Sequence, residues 1–297
     1  MAVENVVEFG HGGMIARLSG NRLHLVQGPI NVVIKAYGPT AAVELAYSKA
    51  SATFSGLLEQ LVADLGTLRT PVSDIPTKNS NVTSYLMQSA VSHYSDQFVT
   101  PMAAVAGAVA DTLLAAMCKA PGLDRAYVNN GGDIALYLAP GRSLDVGVVP
   151  HLQTAIPEAK VSINESDDIG GIATSGWDGH SQSFGVADAV TVLAHSAAAA
   201  DVAATLIGNA TATEHPTIIK RPARQVRADS DLGDRLVTIS VGKLLQTQIN
   251  HALNNGARFA EMLCHRGLIN AALLAVQGSW QMVGDFAQQM KGTPIDL

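Results

Sequence analysis

Cysteine is nearly missing from this chain: Cys118 and Cys264 are the only two in 297 residues. They have no metal-ligand spacing and suggest no disulfide framework, and each sits in an apolar helical pattern that predicts a buried thiol. Aromatic residues are scarce at 5% and charged residues at 15%, whereas hydrophobic residues reach 47%. That balance excludes a highly charged disordered chain and suits a packed globular one. A cationic surplus is lacking as well. The formal net charge is −6, and the longest basic cluster is the short set Lys220, Arg221, Arg224 and Arg227. A general binder of nucleic acid or of anionic membranes is therefore excluded. The cluster reads either as a solvated loop or as a local contact for a phosphate or carboxylate. No apolar run is long enough for a membrane span. Met1–Asn5 lacks the charged and apolar regions of a leader. The expected setting is soluble, reducing and cytoplasmic.

Small residues are what the chain has instead, including 27 glycines. They let backbones approach closely, so tight helix-to-sheet packing is expected. The first forty residues predict an antiparallel meander: runs from Met14, Leu23 and Ile30 are parted by Ser19-Gly-Asn and Gln27-Gly-Pro. Helical spacing of Leu45, Phe54, Leu57, Leu58, Leu61 and Leu65 predicts one long helix from Thr40 to an exit at Gly66. Residues 70–81 read as an exposed, turn-rich stretch and 82–98 as a helix. Thr100 is an N-cap candidate, with Pro101 at the position where a helix best tolerates proline. Ala103, Ala106, Gly107 and Ala110 then share a face almost without side chains, open to close approach by a strand or ligand, or simply to tight packing.

Strands are expected around Asp124–Asn129, Ile134–Leu138, Leu144–Val149, Lys160–Ile163 and Ala189–Ala194, with a small-residue helix over 196–208. Glu214 to Asp234 reads as turn-rich, Gly242 to Cys264 as a helix, and Ile269 to Val276 as a final strand. With no clean linker and no repeat, the expectation is a single α+β domain over 1–297, in two interleaved layers of strands and helices.

Three segments can carry chemistry. Asn129-Asn-Gly-Gly-Asp joins two strands, and its glycines free the backbone to approach an anion or carbonyl, although Asn-Gly is first of all a hairpin signal. Between two strands, Thr174-Ser-Gly-Trp-Asp-Gly-His-Ser-Gln-Ser-Phe-Gly packs hydroxyls, an acid and a histidine into a glycine-rich loop. His180 there is a general-base candidate. Ser175, Ser181 and Ser183 are its nucleophile or orienting candidates, with Asp178 and Asp188 as orienting acids. A lone histidine is more often a satisfied hydrogen-bonder, as His195 is expected to be. Asp201 and Thr205 stand four apart and point from one helix face. They are hard oxygen donors suited to Mg²⁺ or Ca²⁺, although an early Asp in a helix is commonly a cap.

In this order, Gly131-Gly-Asp, Thr174-Ser-Gly, His180, Ala189-Val-Thr-Val-Leu-Ala and Ala200-Asp-Val-Ala-Ala-Thr resemble the ApbE-like superfamily of FAD:protein FMN transferases. The fuller motifs Pro101-Met-Ala-Ala-Val-Ala-Gly-Ala-Val-Ala, Asn130-Gly-Gly-Asp-Ile, Gly179-His-Ser-Gln-Ser-Phe-Gly-Val-Ala-Asp-Ala-Val and Ala200-Asp-Val-Ala-Ala-Thr-Leu-Ile-Gly-Asn are similar to a sister family within it. The resemblance implies an ApbE-like α+β fold of mixed and antiparallel sheets with packed, T-fold-like helical layers. It also implies FAD and Mg²⁺ as cofactors, with FMN moved onto a Thr or Ser of a target protein. Asp201 and Thr205 would hold the metal. Pro101, Met102, Asn130, Gly131, Gly132, Asp133, Thr174 and Ser175 would line the nucleotide pocket. Where the transferases carry Lys-Gly, this chain has Ala106-Gly107, and their Pro-x-x-Gly element is replaced by Ser181-Gln-Ser-Phe-Gly.

Three functions stay open on these residues. One is a metal-assisted transferase acting on FAD or a related nucleotide. The second is a hydrolase of a small cyclic or amide substrate built on His180 and its serines. The third is a non-catalytic binder of a flavin, pterin or nucleotide. The expected partner is a small molecule, with self-association undecided and neither nucleic acid nor membrane involved.

Overall fold

The computed structural model describes residues 3–10, 12–74, 81–148, 159–179 and 181–284. They form two compact units. The first comprises Met1–Leu144, Asn164–Gly171 and Ser196–Ala199, and the second Asp145–Ile163, Ile172–His195 and Ala200–Leu297.

The first unit is an antiparallel sheet with helices against it. β1 (Val3–Phe9), β2 (Gly13–Leu18), β3 (Arg22–Gln27) and β4 (Ile30–Tyr37) follow as a meander, each strand beside its sequence neighbour. Alternation sets the faces: β4 buries Ile30, Val32, Ile34 and Ala36 and turns the intervening residues outward. The chain then leaves the sheet for α1 (Thr40–Phe54), α2 (Leu57–Ala63) and α3 (Leu65–Leu68). One continuous helix was expected here. The break comes at Ser55-Gly56, where Ser55 N closes α1 on Ser51 O and Gly56 leaves the helical region at φ −137°. Glycine gives up the most backbone freedom on entering a helix, so the apolar period survives the break while the backbone does not.

α4 (Val82–Val91) starts at Asn81, whose side chain accepts from Ser84 N at 3.0 Å. The helix stops short of the expected 98, giving way to a 3₁₀ turn at Ser92–Tyr94. The expected turn-rich stretch 70–81 lies partly outside the described residues. Thr100 is extended but makes no side-chain cap bond, and Pro101–Ala104 is a 3₁₀ turn leading into α5 (Val105–Met117). α5 packs on α1, on β5 (Arg125–Asn130) and on β6 (Asp133–Leu138). β4 pairs with β5 from Val32↔Asn130 to Tyr37↔Arg125, and β5 pairs with β6 through the turn Asn130↔Asp133. Cys118, expected to be buried, is exposed at the C-terminal end of α5.

In chain order the remaining elements, which lie mainly in the second unit, are β7 (Ser143–Val148), β8 (Ala159–Asn164), β9 (Gly171–Ser175), β10 (Ala189–Ala194), α6 (Ala197–Ala210), β11 (Ile218–Pro222), α7 (Ala223–Val226), β12 (Leu236–Val241), α8 (Gln246–His265), β13 (Ala271–Val276) and β14 (Ser279–Gly284). β10 and β13 are buried at every position, as fits central strands covered on both faces. β10–β13 and β13–β14 pair antiparallel. α8 lays Ile249, Ala252, Leu253, Gly256, Ala257, Ala260 and Leu263 onto β13 and β14 at three- and four-residue spacing.

Two elements inside the expected turn-rich patch are in fact ordered, β11 and α7. Together with β12 they make a separate two-stranded arm. Their sequence is basic and punctuated by proline, which hides strand alternation. The fold is α+β, with helices packed on antiparallel sheets, in agreement with the sequence.

Candidate functional site

The two units each hold a share of the residues singled out from the sequence. In the first, Gly131 and Gly132 form the two-residue turn between β5 and β6, with φ +66° and +113°. These values lie where side chains are strained, which explains the Gly-Gly pair without a ligand. Gly132 N donates to Asn129 Oδ1 at 2.9 Å, so that amide is engaged within the turn. Asn130 is 8% exposed, and its Nδ2 donates to the carbonyl of Ala106 at 3.1 Å. It thereby ties the hairpin to the start of α5. Asp133 is half-buried at the far side of the turn, Pro101 is buried and Met102 half-buried.

The small face of α5 has a definite occupant. A Cβ on Gly107 would run into the backbone of Ala197 and Ala198, and one on Gly171 into Ser196 and Ala197. Asp111, one turn further along α5, accepts from Ala197 N at 3.0 Å and from Ala198 N at 2.9 Å. Ser196 Oγ accepts from Ala199 N at 3.2 Å. The free amides at the start of α6, a ready anion site in principle, are thus taken by protein oxygens. Burial pushes the Asp111 carboxyl up to about 6, against the pull of these two amides. Asp111 is a lone acid in an apolar helix, and that was the one signal in the sequence that could have found it.

In the second unit the polar loop is held from many sides. Ser183, 4% exposed, donates to Asn209 Oδ1 at 3.3 Å and accepts from Gly185 N at 3.1 Å. Asn209 Oδ1 also accepts from Phe184 N at 2.8 Å. Thr211 Oγ1 accepts from Val186 N and Ala187 N, both at 3.0 Å, and donates to Gly208 O at 2.6 Å. A Cβ on Gly185 would collide with Gly208 O and with Thr211. Ser183 and Asn209 therefore fold the loop onto the end of α6.

The arm clasps the same loop. Gln182 Nε2 donates to Ala223 O at 3.1 Å, Ser230 donates to Gln182, Thr238 N donates to Ser183 O at 2.8 Å, and Lys220 Nζ donates to Phe184 O at 2.8 Å. Asp188 accepts from Trp177 Nε1 at 3.2 Å and from Gln277 N, an engagement that fixes the loop's two ends. Thr174 and Thr191 share a hydroxyl contact of 2.9 Å. Ser175 is half-buried, Ser181 and Asp178 are exposed, and so is His195. His180 lies outside the described residues. Asp201 is 8% exposed, and Thr205 is half-buried one turn along α6. Among the described residues no three His, Cys, Asp or Glu side chains gather as a metal cluster.

A family model described as AbpE bacteria matches residues 15–282. The chain belongs to that family. Among curated proteins it is similar to a UPF0280 protein of Methanothrix thermoacetophila, 43% identical over 120 residues, which are 40% of this chain and 49% of that one. A UPF0280 protein of Archaeoglobus fulgidus is 43% identical over 112 residues, 37% of this chain and 44% of that one. The chain thus spans about half the length of the curated relatives it matches. The crystal structure of the ApbE protein of Thermotoga maritima superposes with a TM-score of 0.52 at 11% identity, over 98% of this chain and all (100%) of that one. At that identity the likeness shows the fold, which is ApbE-like. No helix among the described residues is long and apolar enough to cross a membrane.

Proposed function

We propose that this ApbE-family protein is a metal-assisted transferase acting on FAD or a related nucleotide, with Asp201 and Thr205 holding the metal. The observation that carries the reading is the placement of these two residues. Asp201, 8% exposed, sits one helical turn from the half-buried Thr205 on α6, a helix whose other residues apart from Asn209 are small or apolar.

The donor set fits a hard cation. Two oxygen donors on one helix face, without a third acid, histidine or cysteine among the described residues, leave room in the shell of a Mg²⁺ ion. The ion would take water and substrate phosphate there, as Mg²⁺ commonly does. Such an ion supplies Lewis-acid polarisation at a phosphoryl oxygen. Thr174 and Ser175 are proposed as nucleotide contacts in the same unit. In the other unit Pro101, Met102 and Asn130–Asp133 form a candidate set to be tested separately.

The test is incubation of the purified protein with FAD and Mg²⁺, reading release of FMN or AMP and flavin transfer to a Thr- or Ser-bearing target. Asp201→Asn should lower turnover by about 100-fold or more, since loss of a direct ligand exceeds the 10–100-fold typical of supporting groups. The absence of any released nucleotide or labelled target would sink the reading. So would unchanged turnover in Asp201→Asn.

A further inference from the structure

The basic cluster at Lys220–Arg227 divides in the structure. Arg221, Arg224 and Arg227 are exposed, and Arg224 pairs with Asp234 at 2.7 Å. Lys220 turns the other way. β11 alternates half-buried and exposed residues, and Lys220 falls on the inner face with Ile218 and Pro222. Its ammonium donates to Phe184 O at 2.8 Å. That is one of three donors, and the other two meet no acceptor among the described residues. Burial pulls its pKa below the usual lysine range, while Glu214 favours the charged form.

Directly across the arm, Lys220 pairs with Thr238 just after the bulge at Ile219. Opposed residues of an antiparallel pair present their side chains on one face. Thr238 is 4% exposed, and its Oγ1 has no hydrogen-bond partner among the described residues. A buried hydroxyl left without a partner is destabilising, so its persistence calls for a ligand oxygen. The backbone amide of Thr238 and the ammonium of Lys220 already satisfy the adjacent carbonyls of Ser183 and Phe184. What remains unspent is a set of donors: two ammonium N–H groups and one hydroxyl.

We infer that Lys220 and Thr238 form an oxyanion subsite on the β11–β12 arm, beside the Ser183–Phe184 turn, that receives a phosphate group of the ligand. The ammonium is donor-only and the hydroxyl is able to donate, a pairing that favours an anion over a cation. The half-buried position strengthens each bond relative to one in open water. As the contact for a nucleotide phosphate the subsite rests on the transferase reading; as an anion site it is testable without a nucleotide.

Inorganic pyrophosphate is the probe, titrated calorimetrically into the metal-free full chain at low salt. The wild type should bind saturably, and more weakly as salt rises. Lys220→Met should lose about tenfold or more in affinity, as expected for a charge-assisted bond. Lys220→Arg should retain most of it. Thr238→Val should lose about threefold or more while its melting temperature without ligand stays level or rises, because the substitution removes an unsatisfied buried group. Affinities within twofold of wild type in both Lys220→Met and Thr238→Val would overturn the subsite. So would a wild type that does not bind, or a Thr238→Val variant that melts lower without ligand. Pyrophosphate binding that follows these variants, in a protein that never processes FAD, would leave the subsite standing and remove the transferase reading. FAD turnover with pyrophosphate binding indifferent to both variants would do the reverse.

Discussion

Ser196–Ala199 in the first unit and Ser183–Ala187 in the second are both short backbone stretches held firmly in place, by different materials. The first rests against Gly107 and Gly171, where the missing side chains let backbone meet backbone, and it is bonded by one acid, Asp111. The second hangs from neutral oxygens, Asn209 Oδ1 and Thr211 Oγ1, with Gly185 the one glycine pressed close. The steric seat tolerates nothing larger than hydrogen and answers to pH through its acid. The polar seat is graded, losing stability bond by bond, and neither Asn209 nor Thr211 titrates. A motif rich in hydroxyls thus serves structure first, and a face without side chains serves a neighbouring backbone first.

The largest effect should come from the steric seat. Gly107→Ala would place a methyl group against the Ala197 peptide, where no flexible side chain can yield. A loss of about 3 kcal/mol or more is expected, read by urea denaturation or as a collapse in soluble yield. A fully stable Gly107→Ala protein would break the contrast. Next comes Thr211→Val, which keeps the shape but leaves Val186 N and Ala187 N buried without an acceptor. The cost should be about 2–3 kcal/mol with an unchanged m-value, and the same at pH 5 and pH 8.

The smallest effect sharpens the comparison through pH. Burial raises the Asp111 carboxyl from its ordinary 3.8 to about 6 in the fold. The folded state therefore holds its proton more tightly than the unfolded state. Its contribution to stability is full below about pH 4 and is lost as pH rises through 6. A shift of this size corresponds to about 3 kcal/mol, reduced to about 2 kcal/mol for its partial exposure. Asp111→Asn should flatten that part of the stability curve between pH 4 and 7 in urea titrations. An equal slope in wild type and variant would remove Asp111 from the account.

The sheet of the first unit could be read from residues alone, because alternation in β4 and the Asn130–Asp133 turn are local signals. The helix break at Gly56 could not, since the apolar spacing of Phe54, Leu57 and Leu61 continues through it. β11 and β12 were hidden for a different reason. Lys220 and Arg221 alternate inward and outward, but both are cations, so a hydrophobicity pattern shows nothing. The motif segments of the candidate site stood out in sequence as glycine and polar clusters. Of the partners, Thr211 and Thr238 carry no local mark, and Asp111 shows only as a lone acid in an apolar helix. Asn209 was visible within a motif, but its task of holding Phe184 N emerges only in three dimensions.

The clasp of the β11–β12 arm on Gln182, Ser183 and Phe184 has a consequence for redesign. Each of those three residues is bonded to a different part of the arm: Ala223 and Ser230, Thr238, and Lys220. Removing the hairpin strips the loop of all these bonds at once, so a graft of the loop onto another scaffold has to bring the arm with it.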